Sequence, residues 1–203
     1  IGANGSISKE LIPLLLKNYE VYPVVRSPPE FAINSIYLHF VEGDALSPEV
    51  WDQHLEGKHA VAVALELEQD SLKIDTCSSL ICSLKNEAKG KDIVIKGVKR
   101  FIGFFSHGAF KNQDGKHVFE GENFPNKEKA QCHRQSIEAL EKSELDFTAI
   151  CLWKFQAGAS QLSSDEKSWS ECPADSEGVA AFVTSEIDNP SFSRKTVFLH
   201  NKH

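Results

Sequence analysis

Two apolar runs that do not alternate constrain this chain most. Ala60-Val61-Ala62-Val63-Ala64-Leu65 and the segment from Gly97 to Ser106, with Phe101-Ile102-Gly103-Phe104-Phe105 at its centre, carry apolar or small residues at consecutive positions. A strand points successive side chains to opposite faces, so such a run has no face to turn to water. It suits a parallel strand covered on both sides. The rest of the chain supplies the covering. Ile7, Leu11, Leu14 and Leu15 recur at helical spacing, and helices are expected near Trp51–Leu55, Thr76–Glu87, Lys129–Glu141 and Gly178–Ser185. Further strands are expected at Glu20–Val25, Leu38–Glu42, Phe147–Leu152 and Thr196–Leu199. Residues 111–127, polar and rich in Gly and Asn, read as a loop, and residues 156–175 read as a Ser/Asp/Glu-rich excursion. Strands alternating with helices imply one α/β domain over residues 1–203, with a parallel sheet between two helical layers.

Charge and cysteine usage remove several functions. Lys and Arg number 22 against 29 Asp and Glu, a net charge of -7, so the basic face that phosphate backbones require is lacking and nucleic acid is not expected as a partner. No apolar stretch approaches the roughly 20 residues of a membrane span, and the opening residues lack a signal-peptide pattern. The five cysteines form no CxxC pair; they read as reduced thiols, which suits a cytoplasmic location. The histidines and cysteines show no metal-ligand spacing, so no metal site is expected. The chain has no Met and opens on Ile1-Gly2, read as the end of a strand and the turn after it. A first strand truncated before Ile1 is therefore expected.

The strongest local signal is Gly2-Ala3-Asn4-Gly5-Ser6-Ile7-Ser8 running into the first helix. A dinucleotide site needs a tight turn after the first strand, glycines that admit a pyrophosphate, and a helix N-terminus aimed at it. Gly2 and Gly5 meet the first two needs, while Ser8 stands where a third glycine would be expected. Two glycines in a turn also serve as a plain turn. Arg26 follows about 20 residues on, at a strand end where an acidic residue would bind the ribose of NAD and an Arg accommodates the 2′-phosphate of NADP. A solvated surface Arg is the other reading. Asp44, after Gly43, suits either an adenine contact or a turn.

The segment IGANGSISKELIPLLLKNYEVYPVVRSPPE resembles the opening of the atypical short-chain dehydrogenase/reductases with a GATGxxG turn. It looks most like the NAD(P)H-binding group that contains flavin/biliverdin-IXβ reductase and the larger NmrA-like regulators. FVEGDALSPEVWDQHLEGKHAVAVAL, GVKRFIGFFSHGAF, LEKSELDFTAICL and ADSEGVAAFVTSEIDNPSFSRKTVFL are similar to that group's later segments, in the same order and over nearly the whole chain. The resemblance implies a Rossmann-type doubly wound sheet that binds NADP(H), less readily NAD(H). Gly2, Asn4, Gly5, Ser6, Ile7, Arg26, Asp44, Ala45 and Leu65 would hold the cofactor.

The Tyr-x-x-x-Lys pair of the extended enzymes is missing on this alignment: Lys129 falls on the Tyr position and His133 on the Lys position, while Tyr19, Tyr22 and Tyr37 all lie early in the chain. Tyrosine-driven carbonyl reduction is thereby excluded. The flavin/biliverdin reductase branch does not use that pair, and its Ser and His align with Ser106 and His133. The resemblance implies hydride transfer to a large planar small-molecule acceptor, with Ser106 near the nicotinamide and His133 lining the cleft as a weak acid or polar contact. A capping Ser and a solvent-exposed helix His are the plainer alternative. Trp153 and Lys154 replace the family's Pro-rich turn; Trp153 would be a stacking platform for the acceptor or a lid over the core. Two functions follow: an NADPH-dependent oxidoreductase, monomeric or weakly dimeric, or a catalytically weak NADP(H)-binding regulator of the NmrA-like kind.

Overall fold

The computed structural model describes residues 1–3, 5–27, 33–45, 47, 49–50, 53–64, 98, 100–122, 124, 126–156, 162–165 and 173–201. Helix α1 (Ser6–Leu15) leads to β1 (Val24–Val25), β2 (Val41–Glu42), β3 (Ala60–Val63) and β4 (Arg100–Ser106). Single 3-10 turns at His107–Ala109 and Val118–Glu120 precede α2 (Lys127–Glu141), which is followed by β5 (Asp146–Leu152), β6 (Phe155–Gln156), β7 (Leu162–Asp165), β8 (Ala174–Asp175), α3 (Ser176–Asp188) and β9 (Lys195–Asn201). The expected helix near Thr76–Glu87 lies outside the described residues, as do Trp51 and Asp52 of the short helix expected there.

The unalternating runs form the middle of the sheet. Strands pair in the order β3-β4-β5-β9-β7, parallel throughout except for β7, which runs antiparallel to β9 with Leu162 opposite Asn201. β1 and β2 pair in parallel beside this sheet. Residues 1–3 join the two parts: Ile1 N donates to Ala62 O at 2.7 Å, Ala64 N to Ile1 O at 2.8 Å, and Ala3 N to Val24 O at 3.4 Å. The spatial order is thus β2, β1, residues 1–3, β3, β4, β5, β9, β7, the doubly wound order with its reversal between residues 1–3 and β3. On the amino side of Ile1, a cavity of about 170 Å³ separates β1 from β3.

Each face of the sheet has its own core, because alternate residues of one strand point to opposite sides. Phe101, Phe105, Phe147, Ala149, Cys151 and Phe198 pack with Ile137 and Leu140 of α2. Ile102, Ile150, Leu152, Val197 and Leu199 pack with Ile7 and Leu11 of α1 and Val179, Val183 and Ile187 of α3. Burying a side chain of this kind contributes about 1.5–3 kcal/mol, so the two layers account for most of what holds the sheet.

The segment read as an excursion differs most from expectation. Leu162–Asp165 forms the antiparallel edge strand β7, and Ala174–Asp175 pairs with Phe155–Gln156. Asp175, the last residue of that excursion, is buried and caps α3 by accepting from Gly178 N at 2.7 Å. Among the described residues no helix is long and apolar enough to cross a membrane.

Candidate cofactor site at the carboxyl edge

The parallel strands all end on one edge, so most of the expected site residues that are described gather there. In the turn that opens the chain, Gly2 has φ +83°, a left-handed backbone that side chains disfavour, and its carbonyl accepts from Gly5 N at 3.3 Å and from Ser8 Oγ at 3.0 Å. Ser8, the departure from a third glycine, is buried and uses its small hydroxyl to tie the helix back onto the turn.

Gly5 is different. It is the N-cap of α1 with φ -74° and ψ 163°, a backbone open to any residue, and a β-carbon there would lie 3.5 Å from Gly2 O and 3.7 Å from Ala64 O, ordinary contacts. The protein's own packing does not demand glycine at position 5. The N-cap glycine brings no side chain to α1 and the first turn holds no acidic residue, so the positive end of the helix dipole is carried by the first backbone N–H groups alone. Ile7 contributes backbone only, since its side chain lies in the core under α3. Asn4 and Leu65 lie outside the described residues.

Arg26 follows directly on β1 and is exposed. Gly43 N donates to Val25 O at 2.8 Å, which sets Asp44, exposed, and Ala45, buried, beyond the end of β2. These ends flank residues 1–3 on one side; Ala64 and the end of β4 flank them on the other.

At the end of β4, Ser106 Oγ accepts from Gly108 N at 3.3 Å and caps the 3-10 turn. Ser106 N donates to His133 Nδ1 at 2.6 Å. His133 is 5% exposed, not solvent-facing, and its ring meets Phe105 edge-on at 5.9 Å. Burial, with the positive charge of Lys129 as a lesser cause, lowers its pKa to about 4, so the ring is neutral near pH 7. His107 is likewise lowered to about 4 by burial, and its ring lies 4.9 Å from that of Phe124. A β-carbon on Gly108 would come within 2.5 Å of the Phe124 ring and 2.6 Å of Ala130 Cβ, so this glycine lets Phe124 seat against the turn. Sequence reasoning missed His107 and Phe124; the His-Gly-Ala run after a buried strand was the available signal. Trp153, next after β5, is half-buried against the core, with Lys154 Nζ 4.6 Å from the ring centroid.

The NAD(P)H-binding family model matches residues 2–190, which takes in the glycine turn and every element through α3. The chain belongs to this NAD(P)H-binding family. The match makes a nicotinamide dinucleotide the cofactor class of the domain. No curated protein matches the chain in sequence. Solved structures share the fold: a proposed epimerase from Bacteroides thetaiotaomicron (19% identical, TM-score 0.80, covering 100% of this chain and 95% of that one); a proposed NADH-flavin reductase from Streptococcus pneumoniae (17%, 0.74, 99% and 97%); and a short-chain dehydrogenase/reductase from Veillonella parvula (20%, 0.72, 98% and 91%). Within this NAD(P)H-binding fold, Tyr22 precedes β1 and Tyr37 precedes β2, on the amino side of the sheet, and Tyr19 packs against His59, just before β3. None of the three tyrosines stands at the end of β4.

Proposed function

We propose that the protein is an NADPH-dependent oxidoreductase that reduces a planar acceptor such as a flavin or quinone, and that it works in the cytoplasm as a monomer or weak dimer. The observation that carries this reading is that the glycine turn into α1 and Ser106 at the end of β4 lie at the same carboxyl edge, on either side of the point where the strand order reverses. Gly2, Gly5 and the first N–H groups of α1 would take the pyrophosphate, with Asn4 and Ser6 beside them. Arg26 would pair with the 2′-phosphate, and Asp44, Ala45 and Leu65 would border the adenosine. The bound nicotinamide supplies the hydride.

The chain's own groups suit an acceptor that needs little acid help. Ser106 keeps a hydroxyl proton to donate, since its oxygen accepts from Gly108. His107 and Phe124 offer a ring pair beside it, and Trp153 a second aromatic surface. The likeness to a proposed NADH-flavin reductase supports the same acceptor class. One observation favours the other reading, a catalytically weak NADP(H)-binding regulator: His133, aligned with a cleft residue of the reductases, is neutral and has Nδ1 engaged. Steady-state NADPH oxidation with FMN, riboflavin and quinones separates the two. Turnover with any of them is the expected result; tight NADPH binding without turnover would leave the regulator.

A further inference from the structure

We propose that His133 is a positioning residue: through Nδ1 it holds the Ser106 backbone N–H, and so fixes the Ser106 hydroxyl at the carboxyl end of β4. What Ser106 faces rests on the oxidoreductase reading above; the bond itself does not.

A backbone N–H only donates, so Nδ1 must present its lone pair and the neutral ring carries its proton on Nε2. That Nε2 is buried with no hydrogen-bond partner among the described residues. The ring is therefore oriented by its Nδ1 bond and by its edge contact with Phe105, not by anything Nε2 holds. Ser106 is the last residue of β4. Among the described residues β3 pairs with β4 as far as Gly103, while β5 continues to Ser106 opposite Leu152. On the side of α2, His133 reaches across 27 positions of sequence to the last N–H of the strand. Beyond it the chain turns at once, with Ser106 Oγ accepting from Gly108 N and Gly108 seated under Phe124.

The two ring nitrogens of this histidine do separate work. A ring protonated at Nδ1 would set a donor against the Ser106 donor, so His133 cannot hold Ser106 while it carries a proton on that nitrogen. Support of Ser106 and proton delivery through Nε2 are then separable by substitution. In His133→Asn, Oδ1 falls near the place of Nδ1 and accepts the same N–H, but nothing replaces Nε2. In His133→Phe, the ring shape stays and the acceptor goes.

The expected result is that His133→Asn keeps turnover within about threefold of the parent, while His133→Phe loses roughly ten- to hundredfold in kcat with its NADPH Kd within about threefold. Equal loss in both variants would make Nε2 the working atom and overturn the proposal, as would undiminished turnover in His133→Phe. A readout independent of turnover uses the 15N-labelled parent protein: a scalar coupling across the hydrogen bond between the Ser106 amide nitrogen and His133 Nδ1, with the Ser106 amide proton shifted downfield. That shift should persist in His133→Asn and vanish in His133→Phe. A resolved Ser106 amide with no such coupling would overturn the proposal whatever acceptor is reduced, and even if neither variant folds.

Discussion

The two ends of β4 treat polar groups in opposite ways. At the amino end, Arg100 is 3% exposed and every arm of its guanidinium is engaged. Nη1 donates to Asp146 Oδ1 at 2.6 Å, Nη2 to Glu186 Oε2 at 2.7 Å and to Thr148 Oγ1, and Nε to the Glu186 carbonyl at 3.2 Å. Glu186 in turn accepts from the backbone of Ser191 and Phe192. This closed network ties β4, β5, α3 and the turn into β9 together, and each buried charge has its partners. At the carboxyl end, among the described residues, the chain leaves a glycine that its packing does not require, a helix start without a side-chain cap, and a buried imidazole with one nitrogen unpartnered. Polar residues at the amino end close on one another and hold the sheet; at the carboxyl end the bond from Ser106 N to His133 Nδ1 stands without such a network.

Breaking each edge separately tests that contrast. The largest effect is expected from Gly5→Val. The backbone there suits valine, so the protein should fold with little change in Tm, while calorimetric titration should find NADPH binding lost. Parent-like affinity in a folded Gly5→Val protein would make the glycine turn only a turn. The reciprocal change, Glu186→Ala, leaves Arg100 buried without its main counter-charge and should cost about 3–5 kcal/mol in denaturant unfolding. NADPH affinity of the remaining folded protein should hardly move; a large loss would mean that the two edges are coupled.

Acid sharpens the comparison next. His133 has its pKa lowered to about 4 in the folded protein, against the ordinary 6.5. The unfolded chain therefore binds its proton first, and folding stability should decline as pH falls below about 6.5 and level off below about 4. His133 accounts for at most roughly 3 kcal/mol of that decline, with a smaller share from the less buried His107. Unfolding curves of His133→Phe across this range should show a shallower slope, and an unchanged slope would contradict the assigned burial. Arg26→Ala should have the smallest effect on stability and the most selective one on binding. Loss of a charge-assisted contact worth about 1.5–3 kcal/mol should weaken NADPH roughly ten- to hundredfold and leave NADH nearly unchanged. Equal weakening of both would show that Arg26 does not read the 2′-phosphate.

Most of the fold was legible because its central strands are written in apolar residues. The β4 and β5 runs could be assigned as buried strands without any tertiary information, and α1 announced itself by its stripe. The polar edge strand β7, Leu162–Asp165, was not legible. Its sequence is Leu-Ser-Ser-Asp, and it is a strand because β9 offers it a ladder, from Leu162 opposite Asn201 to Asp165 opposite Phe198. The site shows the same division. The glycine turn and Ser106 stood out, whereas the burial of His133 was open to two readings. A signal for it was present: Ala130, His133, Ile137 and Leu140 follow one another at helical spacing and all are buried, so this histidine sits on the apolar stripe of α2.

The sequence by itself determined the order of the described strands and helices, the place of the glycine turn before α1, and that all three tyrosines lie early in the chain. These depend on residue type and spacing along the chain, which hydrophobic burial and glycine's backbone freedom translate directly into local structure. Only the tertiary structure decided what each polar side chain is for. It closed Arg100 into a network with Glu186, made Asp175, at the end of the expected excursion, a buried helix cap, and set His133 against the Ser106 amide. The physical reason is that a polar group's role is fixed by its hydrogen-bond partner, and those partners stand 86, 3 and 27 positions away in sequence.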